Sequence, residues 1–165
     1  SPVECIKELT EIGNKYAIGR DIHVGDTVIG IKGRVGFEAA GPIMIVKSHH
    51  LLEKHVLSKH QLLLKDQLSM QYGHHLHEGL FLDPAMRDIE SFLSSSQRHV
   101  TGKVSLELLP YRFVLKGIES DNDLMQSEFG KYGEMNNGWT GDDVKGFAKV
   151  FGNQMMIYHK THSAK

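Results

Sequence analysis

The chain has 165 residues, 40% hydrophobic and 24% charged, a balance that suits a compact folded protein and excludes collagenous, low-complexity and disordered classes. Nineteen Lys and Arg against 20 Asp and Glu give a formal charge of −1, so the broad basic surface that displaces counterions from nucleic acid is absent and no nucleic-acid partner is expected. The longest apolar runs, such as Ile43-Met44-Ile45-Val46, fall far short of the roughly 20 residues of a spanning helix, and no signal-like segment opens the chain, so no membrane partner is expected. The lone Cys5 cannot form an internal disulfide, and a chain of this size needs none, which suits a reducing, cytoplasmic setting. The opening Ser1-Pro2-Val3, without an initiator methionine, is expected of a piece trimmed from a longer protein.

Cys5, Leu9, Ile12 and Tyr16 recur at helical spacing and predict a first helix with this stripe turned to the core, ending near residues 13–19. From Ile22 to Ala40, glycines at 25, 30, 33 and 36 interrupt β-branched residues, the texture of extended chain with tight bends. Pro42 can open a second helix, with Leu52 and Val56 continuing its apolar face. Ser58 and Gln61 read as a capping box that starts a third helix running towards His77. Asp83-Pro84 starts a fourth, which buries Ile89, Phe92 and Leu93 and frays in Ser94-Ser95-Ser96. The period then shortens to two: Val104, Leu106 and Leu108 alternate with polar residues, Pro110 makes a turn, and Phe113 to Ile118 is the partner strand of a hairpin. After a polar connection from Ser120 to Gly141, Asp142-Asp143 caps a last helix carrying Val144, Phe147, Phe151 and Met155 on one face. This order predicts an α+β fold: several helices packed with a small antiparallel sheet that includes the hairpin near residues 100–118. No repeat and no domain linker is legible.

Seven of the 11 histidines lie between His49 and His77, but their order is not the His-Glu-x-x-His of a zinc protease, and they read as surface or interface histidines, some of them paired with Glu53, Glu78 or Asp66. Cys5, on the apolar stripe, reads as a buried thiol and not a nucleophile. Ser94-Ser95-Ser96 lacks the Gly-x-Ser-x-Gly context of a hydrolase, and no glycine-rich phosphate loop is present, so no nucleotide site is legible and no catalytic acid, base or metal ligand is assigned. What remains is the segment from Ile29 to Glu38. There Lys32 and Arg34, two apart on a strand, share a side, and glycines let a ligand approach the backbone; the pair suits a carboxylate or phosphate, or else charges an exposed strand edge.

These residues carry a resemblance. Ile18-Gly-Arg20, Ile29-Gly-Ile-Lys-Gly-Arg34 with Phe37-Glu38, a helix with His49 or His50 near its start, Leu64-Lys-Asp66, Glu78-Gly-Leu-Phe81 with Asp83-Pro84, Val100-Thr-Gly-Lys-Val104 and Gly146-Phe147 follow one another in an order that resembles the carboxyl-terminal region of the argininosuccinate synthase family, over nearly the whole chain. The resemblance implies a ligase of arginine biosynthesis that joins citrulline to aspartate with ATP and magnesium, through a citrullyl-adenylate, releasing AMP and pyrophosphate. It implies a cytoplasmic homotetramer. It also implies that residues 1–165 are part of a synthetase and oligomerisation domain, that the missing amino-terminal domain holds ATP, and that this piece alone is inactive and binds no cofactor.

The family contributes a glutamate and a tyrosine to citrulline from this region, at positions that are Gly25 and Phe37 here. Three explanations fit the departure. The substrate's α-amine is acylated, so that no cation needs a partner and Lys32 or Arg34 meets a carboxylate on the acyl chain; Asp26 replaces the lost glutamate after a small shift; or the pair belongs to a differently built turn. The candidate substrate-binding residues are therefore Gly25, Asp26, Lys32, Arg34 and Phe37. The alternative function is a non-catalytic oligomerisation module.

Overall fold

The computed structural model describes residues 1–126 and 138–163. In chain order it contains α1 (Pro2–Asn14), β1 (Arg20–Asp26), β2 (Lys32–Glu38), α2 (Ala40–Val56), α3 (Lys59–His77), α4 (Pro84–Ser96), β3 (Lys103–Leu109), β4 (Arg112–Glu119), α5 (Gly141–Phe151) and α6 (Asn153–His162). Helices combine with two separate two-stranded antiparallel sheets, β1–β2 and β3–β4, so the class is α+β. The chain divides into two compact units, Ser1–Met125 and Gln126–Lys165. Among the described residues no helix is long and apolar enough to cross a membrane.

Local chemistry sets most boundaries of the first unit. Ser1 caps α1, its hydroxyl accepting from Glu4 N while the Glu4 carboxylate takes the terminal ammonium at 2.6 Å. Ser58 and Gln61 form the expected reciprocal capping box on α3, and Asp83 accepts from Ala85 N ahead of Pro84 on α4. The β3–β4 hairpin turns at Pro110 and Tyr111, the latter with φ +66, and shifts register between Ser105 and Leu106. Its inward residues Leu106, Leu108 and Phe113 pack with Leu9 on a core of Ile18, Ala40 and Met44. Leu52, Val56, Leu57, Met86 and Ile89 are also buried.

The expected stripe on α1 is corrected. Cys5, Ile12 and Tyr16 are exposed, and the helix meets α2 instead through small residues: a Cβ on Gly13 would lie 2.8 Å from that of Ala40, and one on Gly41 would lie 2.8 Å from the Ile6 carbonyl. Close backbone approach needs missing side chains, which a hydrophobic period does not register. Gly19 makes the corner into β1 with φ +78, so near α2 that a Cβ would sit 2.7 Å from Ala40 N.

The second unit corrects the last helix. Its cap is Thr140, which exchanges hydrogen bonds with Asp143, and the helix breaks at Gly152 into α5 and α6. The expected stripe of Val144, Phe147, Phe151 and Met155 is exposed, with Phe147 and Phe151 stacked at 5.2 Å between ring centres. Most of the polar connection read between Ser120 and Gly141 lies outside the described residues.

Candidate functional site

The β1–β2 hairpin carries all five candidate residues. Its turn is built by Thr27, whose N–H and hydroxyl both donate to the Ile31 carbonyl, at 3.0 and 2.7 Å, with Gly30 at φ +80. The turn fixes a regular register that sets Arg20 opposite Glu38, Gly25 opposite Gly33 and Asp26 opposite Lys32. Opposed residues share a face and successive residues alternate. Gly25 and Phe37 therefore lie on one face, together with Asp21 and His23, about 13 Å apart along the strand at roughly 3.3 Å per residue. Asp26, Lys32 and Arg34 lie on the other.

The structure thus brings together Asp26 and Lys32 as an ion pair, next to Arg34 on the same face. It does not bring these three onto the face of Gly25. Both members of the Asp26–Lys32 pair are mostly exposed, so it is worth at most about 1 kcal/mol. Among the described residues Arg34 has no ion-pair partner. Phe37 lines an open hollow of about 670 Å³ with Arg20, Asp21 and Glu38, where Arg20 Nε lies 2.9 Å from Glu38 Oε1.

A second hollow, of about 370 Å³, opens at the turn end of the hairpin. His23, Gly25 and Asp26 wall it from β1, and His74, His77 and Glu78 wall it from the end of α3. The His77 Nε2 lies 3.0 Å from the Asp26 carbonyl oxygen and donates to it, joining strand end to helix end. The imidazole of His23 lies over Gly25: a Cβ there would be 2.5 Å from His23 Nε2. His23, His77 and Glu78 were not among the sequence-derived site residues. Strand alternation places His23 on the face of Gly25, but the approach of α3 joins residues far apart in sequence and leaves no local signal.

The histidine-rich segment also contains a buried polar centre that is not a surface feature. Glu53, 1% exposed, accepts from Lys65 Nζ at 2.6 Å, Gln97 Nε2 at 2.8 Å and His50 Nδ1 at 3.2 Å, with His49 Nε2 at 3.4 Å. Burial opposes the charge on Glu53, but the Lys65 and His50 hydrogen bonds and the charges of Lys65 and His49 outweigh it and hold the carboxyl below its ordinary value. Burial likewise opposes the Lys65 ammonium, and Glu53 and Asp66 outweigh it and raise its value. This centre ties α2, α3 and the end of α4 together. The remaining histidines scatter: His74 pairs with Glu78 at 3.1 Å and His55 with Asp123 at 3.1 Å. Among the described residues no group of three or more His, Cys, Asp or Glu is placed to hold a metal ion.

A family model described as the arginosuccinate synthase C-terminal domain matches residues 1–158. Three similar proteins, each called argininosuccinate synthase, come from Xanthomonas campestris pv. campestris (35% identical over 155 residues, 94% of this chain and 38% of the relative), Dictyoglomus thermophilum (35% over 156 residues, 94% and 39%) and Methanocaldococcus jannaschii (30% over 164 residues, 99% and 41%). The chain spans about two fifths of the length of these relatives. With residues 1–158 of the chain matched and the α+β order in place, the chain belongs to the argininosuccinate synthase family, in the region of its carboxyl-terminal domain.

Proposed function

We propose that this chain is the carboxyl-terminal synthetase part of an AMP-forming carbon–nitrogen ligase that joins citrulline, its α-nitrogen free or acylated, to aspartate in arginine biosynthesis in the cytoplasm. The observation that carries the reading is the family match over residues 1–158. The β1–β2 hairpin supports it, because a two-stranded ribbon exposed on both faces offers one wall of a site and needs another to close over it. Gly25, Asp26, Lys32, Arg34 and Phe37 are the proposed substrate contacts.

In this reading ATP and magnesium are held by a part of the enzyme outside these 165 residues. The residues here do not fit them: the sequence holds neither a Gly-x-x-x-x-Gly-Lys-Ser/Thr loop nor a Gly-x-Gly-x-x-Gly turn, the first turns of α1, α3, α4 and α5 are occupied by the side chains of Ser1, Ser58, Asp83 and Thr140, and the described residues gather no acidic metal cluster. The contribution of this region is to position the amino-acid substrate and shape the charge around it, with no covalent residue, so the isolated piece is inactive. The test is pyrophosphate release by the protein in the form its host produces, given ATP, magnesium and aspartate. Release that requires citrulline or an N-acylcitrulline, with one argininosuccinate-type product per pyrophosphate, supports the reading; release independent of both refutes it.

The oligomerisation reading has its own observation. Val144, Phe147, Val150, Phe151 and Met155 are all exposed on α5 and α6, an apolar surface that a self-associating enzyme covers with a second copy. The two readings combine in a homotetramer, and sedimentation of F147E/F151E against the wild type tests it, with a lighter species expected from the variant.

A further inference from the structure

The Glu53 centre is the floor of a hollow of about 410 Å³ between α2, α3 and α4 that shares no residue with the β1–β2 hairpin. Its walls are apolar, with Ile45 and Val46 from α2 and Leu93 from α4. The charges of the floor are unequally available to a ligand. Glu53 is sealed: one carboxylate oxygen accepts from Lys65 and His50, the other accepts from Gln97 with His49 beside it, and the residue is 1% exposed. A cation entering the hollow therefore meets no free carboxylate oxygen, and the described residues gather no group placed to hold a metal ion. Donors are what is left over. The Lys65 ammonium carries three protons and has two acceptors among the described residues, Glu53 at 2.6 Å and Asp66 at 3.3 Å. The hydroxyl of Ser69, one turn further along α3 and on the same face, has no hydrogen-bond partner among the described residues. Glu53 is the one acid in the lining and Lys65 balances it, while an imidazole such as that of His49 or His50 adds positive charge or none.

We propose that this hollow binds a small amphiphilic carboxylate. Its oxygens accept from Lys65 Nζ and the Ser69 hydroxyl, and an aryl or branched aliphatic body lies against Ile45, Val46 and Leu93. Glu53 keeps all of its partners, so the ligand adds to the centre without dismantling it. The site is separate from the five proposed substrate contacts and does not rest on the ligase reading.

The test is equilibrium dialysis of phenylacetate against the protein in the form its host produces, with citrulline and aspartate in excess so that a substrate site is not what is read. Phenylacetamide and phenethylamine keep the body and remove the anion; inorganic phosphate keeps an anion and removes the body. Lys65→Met would also strip Glu53 of its main partner, so Ser69 carries the mutational arm: Ser69→Ala deletes one donor and Ser69→Phe fills the hollow. The expected result is one phenylacetate per chain with a dissociation constant of about 1 mM or below, binding at least about 10-fold weaker for the amide and the amine, and no displacement by an equal concentration of phosphate. Ser69→Ala should weaken binding about 3–10-fold at an unchanged melting temperature, and Ser69→Phe should abolish it. No saturable binding of phenylacetate, equal binding of the amide or the amine, displacement by phosphate, or an unchanged affinity in Ser69→Ala overturns the proposal.

Discussion

Glu53 and the β1–β2 hairpin use charge in opposite ways. Glu53 is removed from water and accepts from three donors, on α2, on α3 and at the end of α4, with His49 close by, so its charge is part of the architecture. On the hairpin and the adjoining helix end, Asp26 with Lys32, Arg20 with Glu38 and His74 with Glu78 are exposed pairs. Exposed pairs cost little to break, and a carboxylate that can change partners cheaply suits a ligand better than one that cannot. The comparison separates a centre that holds the fold from a surface that can trade its contacts.

The largest effect should come from Glu53→Leu. It leaves the ammonium of Lys65, whose side chain is 16% exposed, with only the half-exposed Asp66 among the described residues, and should cost about 3–5 kcal/mol in urea unfolding. Gly19→Ala follows, because the left-handed backbone and the contact with Ala40 N act together; a loss above about 2 kcal/mol is expected. Gly30→Ala, with similar φ and open space around it, should lose only about 1 kcal/mol, so the difference between these two variants isolates packing from backbone strain. Lys32→Met should change stability by less than about 1 kcal/mol.

Acidity sharpens the same contrast. The Glu53 carboxyl is lowered on folding, so its contribution is complete above its ordinary value of 4.5 and is lost as pH falls through the lowered folded value. The Lys65 ammonium is raised, so its contribution is complete below its ordinary value of 10.5 and is lost as pH rises through the raised one. Urea midpoints measured from pH 6 down to pH 3 should fall in the wild type, and the part of that fall due to Glu53 should be absent in E53Q.

What the sequence made legible was what short-range chemistry decides. The Ser58–Gln61 box, the Asp83-Pro84 start and the alternation of Val104, Leu106 and Leu108 each act within a few residues, and each is found in place. The α1–α2 contact was not legible, because Gly13 and Gly41 make it by lacking side chains. The apolar spacing of Val144, Phe147, Phe151 and Met155 continues across Gly152 and hides the break there, although glycine lowers the stability of a helix interior. In the candidate site, the alternation of β2 correctly set Lys32 and Arg34 on one side, but the register that sets Gly25 on the other depends on the five-residue turn from Thr27 to Ile31. The meeting of Asp26 with His77, 51 residues apart, is a tertiary event that no local pattern announces.

The most direct test of the separation between architecture and exchangeable surface is urea unfolding of Glu53→Leu beside Lys32→Met. The account predicts a loss of about 3–5 kcal/mol for the first and of less than about 1 kcal/mol for the second. Equal losses in the two variants would contradict it.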